Sequence, residues 1–220
     1  MTAPAPGAPA VPLGELGPDV RVVPRETYRR DPREVAPELL GKLLVRAGAG
    51  RPLQAGRIVE VEAYCGAEDP GSHAYRGETP RNRTMFGPPG GLYVYFTYGM
   101  HWCANVVCGD EGVGLAVLLR ALAPVTGVEA MWAARPAARR ERDLCSGPAK
   151  LCQALGLDRS FDGADLVTGD RGVVVADDGT PPPTDPVRTT RIGLSAGAEH
   201  PWRWYVRDDP NVSVRRHPAS

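Results

Sequence analysis

Two short stretches carry side chains able to do chemistry. Glu60-Val61-Glu62-Ala63-Tyr64 sets two carboxylates and a phenol at alternate positions. Leu92-Tyr93-Val94-Tyr95-Phe96-Thr97-Tyr98-Gly99-Met100 concentrates aromatic rings, and five of the seven tyrosines (Tyr64, Tyr75, Tyr93, Tyr95 and Tyr98) fall between the start of one stretch and the end of the other. A basic loop, Thr79-Pro80-Arg81-Asn82-Arg83, lies between them. Rings can stack on a flat base, a carboxylate can serve as general base, and guanidinium groups can grip phosphates. Together they suit holding a purine outside a DNA helix while its glycosidic bond is cut.

Strand periodicity sets how these side chains must be presented. Over Gly56–Tyr64 an alternation of two sends Val59, Val61 and Ala63 one way and Glu60, Glu62 and Tyr64 the other. In the second stretch Tyr93, Tyr95 and Thr97 share a face, while Leu92, Val94 and Phe96 read as core. Tyr98-Gly99 reads as a hairpin tip and His101–Cys108 as the return strand. A ring at such a tip has no core to fill, and can serve as a wedge between base pairs. Each feature taken singly also has a bland reading: a solvated glutamate, a ring folded onto its own hairpin, or solvated surface charge.

The first helix is expected to start at Asp31 as cap, with Pro32 in its first position, Glu34 completing a capping box and Gly41 near its end. Strands are expected at Lys42–Arg46, Gly56–Tyr64, Gly91–Thr97, His101–Cys108 and Gly114–Arg120, then at Gly172–Ala176, Val187–Leu194 and Trp202–Arg207. Pro124–Ala134 and Gly147–Leu155 read as helices, the second capped by Ser146 and stopped by Gly156. Strands with interspersed helices and no regular βαβ alternation predict an α+β fold. The expected architecture is a single domain with a curved, mostly antiparallel sheet flanked by helices and a protruding β-hairpin.

Composition narrows the class. The chain has 220 residues, 42% of them hydrophobic, enough for one substantial core. The Ala/Pro/Gly-rich start is too poor in large apolar side chains to offset its ordering entropy, so residues 1–18 are expected to be a disordered tail and 19–220 the domain. The formal net charge is zero, which argues against a general nucleic-acid coating protein but leaves room for a local basic face. Candidate phosphate contacts are Thr79, Arg81 and Arg83, with Arg76 and the Arg135, Arg139, Arg140 and Arg142 cluster behind them. Five cysteines without a CxxC pair suggest buried thiols rather than disulfides or a zinc site. Gly87–Gly91 lacks the Lys-Ser/Thr of a Walker motif. No apolar run is long enough to span a bilayer and no signal-peptide pattern opens the chain, so a cytoplasmic location is expected, at the nucleoid in a bacterium.

Several motifs in the same order extend this reading. They are Arg57–Tyr64 with His73, Thr79–Phe86, Leu92–Met100, Cys103-Ala104-Asn105, Leu118–Leu122 and Leu144–Leu155, and more weakly Arg191-Ile192-Gly193 and Trp204–Arg207. Together they resemble the alkyladenine (3-methyladenine) DNA glycosylases of the methylpurine type, over nearly everything after the tail. The resemblance implies a mixed domain with a curved antiparallel sheet and a DNA-intercalating hairpin. It implies Glu62 as the base that activates water, with Arg120 supporting the water and sugar side. Tyr64, His73 and Tyr95 would wall the base pocket, Asn105 would crowd the 2-amino group of guanine, and Tyr98 would intercalate. The implied activity is a base-excision-repair hydrolase on double-stranded DNA with damaged purines, monomeric, with no metal or cofactor. No lysine sits among the pocket candidates, so water rather than a Schiff base is the expected nucleophile. The alternative is a non-catalytic damaged-DNA or RNA binding module on the same fold, which would have no need of the carboxylate of Glu62.

Overall fold

Fifteen residues of continuous strand form the spine of the molecule. A computed structural model describes residues 11–48, 50–97 and 100–214; Tyr98, the expected wedge, and the first ten residues of the expected tail lie outside them. In chain order the elements are β1 (Arg21–Val22), α1 (Arg25–Tyr28), α2 (Pro32–Leu39), β2 (Leu43–Gly48) and the spine β3 (Arg51–Cys65). Then come β4 (Gly91–Thr97), β5 (His101–Cys108), β6 (Leu115–Thr126), α3 (Val128–Ala134) and α4 (Pro148–Leu155). β7 (Ala164–Asp165), β8 (Val173–Asp177), β9 (Val187–Thr189) and β10 (Arg203–Tyr205) complete the set.

The strands form one curved sheet in the order β1-β8-β2-β3-β6-β5-β4-β7, and every described pair is antiparallel. The first half of β3 pairs with β2, while Glu60–Glu62 pair on that same edge with β10, which carries β9. The fold is α+β with few helices. Among the described residues no helix is long and apolar enough to cross a membrane.

One face of the sheet is packed by the helices. Val35, Ala36 and Leu39 of α2, Met131 of α3 and Leu151, Cys152, Ala154 and Leu155 of α4 join Ile58, Val61, Ala63, Leu92, Val94, Val106, Leu119 and Leu122 in the main core. Each fully buried leucine there stabilises the fold by about 1.5–3 kcal/mol relative to an exposed one. Asp31 does cap α2, but its side chain accepts from the Arg33 N–H at 2.7 Å instead of closing a capping box with Glu34. Gly156 ends α4 with φ 64° as expected. Ser146 does not cap it: Gly147 holds the cap position, and the Ser146 hydroxyl accepts from Lys150 Nζ at 3.3 Å.

Other boundaries moved for identifiable reasons. β6 runs to Thr126, past the expected helix start, and Gly127 (φ 69°) makes the turn because a Cβ there would strike the Leu53 carbonyl. The expected strand Val187–Leu194 stops at Thr189, since Arg191 turns inward to Asp69 and Gly193 adopts φ 78°. Val11 and Leu13, inside the expected tail, are buried in a second cluster with Val20, Val45 and Val174.

Two bulges on facing strands matter most for function. Ile58 pairs with Leu122, Glu60 with Ala121 and Val61 with Leu119, so Val59 is an extra residue on β3 and Arg120 an extra residue on β6. Val59 therefore leaves the face of Val61 and Ala63 and packs with Ala121, Val187 and Tyr205, contrary to strict alternation. Arg120 lies on the face of Glu60 and Glu62 by plain alternation with Leu118, and the bulge after it brings Ala121 onto that side as well. Bulges commonly re-aim side chains next to active sites.

Candidate active site

Register alone lines up the centre of the site. Across β4, β5, β6, β3 and β10, Tyr93 pairs with Asn105, Asn105 with Leu118, Leu118 with Glu62, and Glu62 with Arg203. This row crosses the sheet on the face away from the helices. The segment from Gly66 to Phe86 folds over it, burying Ala74 and Met85 against Tyr93, Val107 and Ala116. Buried Asn82 ties that segment together: its amide donates to the carbonyls of His73 (2.8 Å) and Gly77 (3.1 Å), and its oxygen accepts from Thr79 N–H and hydroxyl.

Between this cover and the sheet lies a cavity of about 380 Å³ whose walls include Tyr64, His73, Tyr93, Tyr95, Asn105 and Arg120. Tyr93 and Tyr95 stack at 5.4 Å, and His73 stands edge-on to Tyr95 at 4.5 Å. The Tyr93 hydroxyl and His73 Nδ1 are 3.1 Å apart. His73 keeps an exposed edge, yet partial desolvation among the rings, and then the nearby Arg81 charge, hold its pKa below the usual histidine value of 6.5. Asn105 is buried and donates to the Tyr93 carbonyl at 3.1 Å.

Glu62 lies just behind the wall with no exposed surface. Its Oε1 accepts from the Ile192 N–H at 2.8 Å, and its Oε2 accepts from the Tyr64 hydroxyl at 3.0 Å. Arg120 Nη1 is 3.2 Å from Oε2. A carboxylate oxygen can accept about two bonds, so Oε1 retains capacity for a water proton. Burial, and then the charge of Glu62, push the Tyr64 phenol well above its ordinary range and keep it a donor.

Sequence reasoning did not single out the groups that hold these in place. Asp69 and Arg191 form a buried bidentate pair at 2.5 and 2.7 Å, fixing the loop whose next residue, Ile192, binds Glu62. The Arg191 guanidinium also lies 4.8 Å from the Tyr64 ring. Glu60 is fully buried too, bound by Arg120, Arg203 and Ser213. Tyr93 and Glu60 were readable as sharing the period-two faces of Tyr95 and Glu62, and Arg191 only as part of a weaker family motif.

The expected site residues divide clearly. Glu62, Arg120, Tyr64, His73, Tyr95 and Asn105 come together. Thr79, Arg81 and Arg83 stay on the exposed cover segment, where Arg81 donates to the Phe96 carbonyl at 3.3 Å and Arg83 pairs with Glu78 at 3.2 Å. Arg135 and Arg140 are engaged with Gln153 and Asp143. Phe96 is 42% exposed instead of core, tilted against Trp102 at 4.8 Å on the face opposite the cavity. All five cysteines are buried.

Residues 26–210 match the family model described as methylpurine-DNA glycosylase. A protein of Burkholderia lata is 55% identical over 192 residues, covering 87% of this chain and 91% of its own length. One of Streptomyces avermitilis is 49% identical over 201 residues (90% and 94%), and one of Carboxydothermus hydrogenoformans is 48% identical over 199 (88% and 100%). Each is named "Putative 3-methyladenine DNA glycosylase". With a ring-lined cavity backed by a buried carboxylate, and a family match over most of its length, the chain belongs to the methylpurine-DNA glycosylase family, the DNA-repair hydrolases that process alkylated bases.

Proposed function

We propose that the enzyme, as a monomer on duplex DNA, turns a damaged purine into the cavity and hydrolyses its N-glycosidic bond with a water activated by Glu62, leaving an abasic site. The observation that carries this reading is the buried Glu62 carboxylate, held from three directions directly behind a wall of Tyr64 and Arg120. The cavity volume falls in the range of small-molecule sites, about 300–1,000 Å³.

Extruding a nucleotide costs a few kcal/mol, less where the base is already mispaired. Stacking on Tyr64, His73 and Tyr95 would recover roughly 1–3 kcal/mol per base. The sugar develops positive charge as the bond breaks, and ionised Glu62 would both stabilise that charge and take the proton of the attacking water. Asn105, on the same row of the sheet, would crowd a guanine 2-amino group. No lysine lines the cavity among the described residues, in keeping with water as nucleophile.

The electrostatics favour cationic lesions. A neutral His73 adds no charge to repel 3-methyladenine or 7-methylguanine, and these bases leave without help. Hypoxanthine must be protonated to leave, and a histidine held below its ordinary pKa is a poor proton source at neutral pH. Release of hypoxanthine should therefore be slower than release of 7-methylguanine. The test is Glu62→Gln: base release from a duplex carrying 7-methylguanine is lost while binding to abasic-site DNA persists. Retained excision would remove Glu62 from the role.

A further inference from the structure

We propose that Glu60 is a positioning residue for the reaction, fixing the Arg120 guanidinium against Glu62, and that Ser213 holds Glu60 in turn. The inference rests on the roles of Glu62 and Arg120 proposed above. Glu60 and Glu62 are both fully buried and two residues apart on β3. Arg120 bridges them: its Nε donates to Glu60 Oε1 at 2.9 Å and its Nη1 is 3.2 Å from Glu62 Oε2. One end of the guanidinium is thus anchored away from the cavity while the other faces the reacting carboxylate.

The anchor is itself heavily restrained. Glu60 Oε1 also accepts from Arg203 Nε at 2.7 Å and from the Ser213 hydroxyl at 2.9 Å, and Oε2 accepts from the Ser213 N–H at 2.7 Å. Burial opposes ionisation of Glu60, but Arg120, Arg203 and Ser213 outweigh it and hold the carboxyl below its usual range. Arg203 is fully buried, sits over the Tyr205 ring at 4.7 Å and donates to the Val214 carbonyl. Two carboxylates and two guanidinium groups therefore balance in charge. The geometry is asymmetric, because only Arg120 extends from the inner carboxylate to the wall of the cavity. Arg120 is the residue of β6 without a partner across the pairing, and alternation with Leu118 fixes its face but not where along that face the guanidinium lies. Its side-chain bond to Glu60 sets that place.

A double-mutant cycle separates positioning from mere support of the fold. Single-turnover base release from a 7-methylguanine duplex, and the Kd for abasic-site DNA, are measured for the wild type, Glu60→Gln, Arg120→Lys and the double variant. Glu60→Gln should slow release by about 10–100-fold through misplacement of Arg120, with Kd unchanged. In the Arg120→Lys background, which has no Nε to anchor, the same substitution should cost little further. Losses that multiply, or a Kd that weakens in step with the rate, would overturn the proposal. If Glu60→Gln does not fold, Ser213→Ala decides. Removing one hydrogen bond to Glu60 should slow release about threefold in the wild-type background only, and an unchanged rate would overturn it. Retained excision by Glu62→Gln would instead defeat the underlying reading of the site.

Discussion

The Tyr64 hydroxyl donates to Glu62 Oε2 at 3.0 Å, so one side chain both walls the cavity and restrains the carboxylate behind it. Tyr64→Phe keeps the ring and deletes only that bond. Hydrogen bonds to charged groups are worth about 1.5–3 kcal/mol, so single-turnover base release should fall roughly tenfold or more. Affinity for abasic-site DNA should hardly change. Equal rates for Phe and Tyr would mean that the hydroxyl does nothing for the chemistry.

The Asp69–Arg191 pair is a structural lever on the same carboxylate. Asp69→Asn would leave the Arg191 charge buried beside Tyr64 and Trp202 without its counter-charge. Breaking a buried pair from one side costs about 3–5 kcal/mol, and urea unfolding should show a loss of that order. Base release should drop as well, because the Ile192 N–H leaves Glu62 with its loop. A variant with native stability would show that the pair is not needed to hold this loop.

His73 supplies a pH dependence whose sign is fixed by its depressed pKa. The folded form binds its proton less readily than the unfolded chain, whose histidine titrates near 6.5. Its contribution to stability is therefore complete above that value and is lost as pH falls through it toward the lower folded value. The urea midpoint should decline as pH drops from about 7.5 to about 5.5, and His73→Gln should flatten that decline. An identical slope in the variant would assign the effect to other groups.

Arg81 and Arg83 should differ in DNA binding although they lie two residues apart on one loop. Arg81 has a backbone carbonyl as partner, whereas Arg83 is already paired with Glu78. Each phosphate contact contributes roughly one unit to the slope of log affinity against log salt. Arg81→Ala should lower that slope by about one, and Arg83→Ala by clearly less. Anisotropy titrations over a salt series decide, and equal changes would argue against the ion-pair explanation.

Much of the site was legible because strands write their faces into the sequence. Glu62 with Tyr64, and Tyr93 with Tyr95, each share a period-two face, and β4 and β5 begin and end where the turn residues said they would. Phe96 was misread because alternation tells which side a residue faces but not whether anything covers that side. The partners Asp69, Arg203 and Ser213, and the role of Arg191, were invisible because each meets its target from a distant part of the chain.

By itself the sequence determined the residue types, their alternation along each strand and the family motifs, all local properties of a chain with period-two order. Only the tertiary structure decided that Val59 and Ala121 would leave their alternating faces. That depends on two opposed bulges in the β3–β6 pairing, and a bulge is a property of two strands meeting. The burial of both carboxylates was settled the same way, by a sheet edge, a loop and a C-terminal segment converging on them from far along the chain.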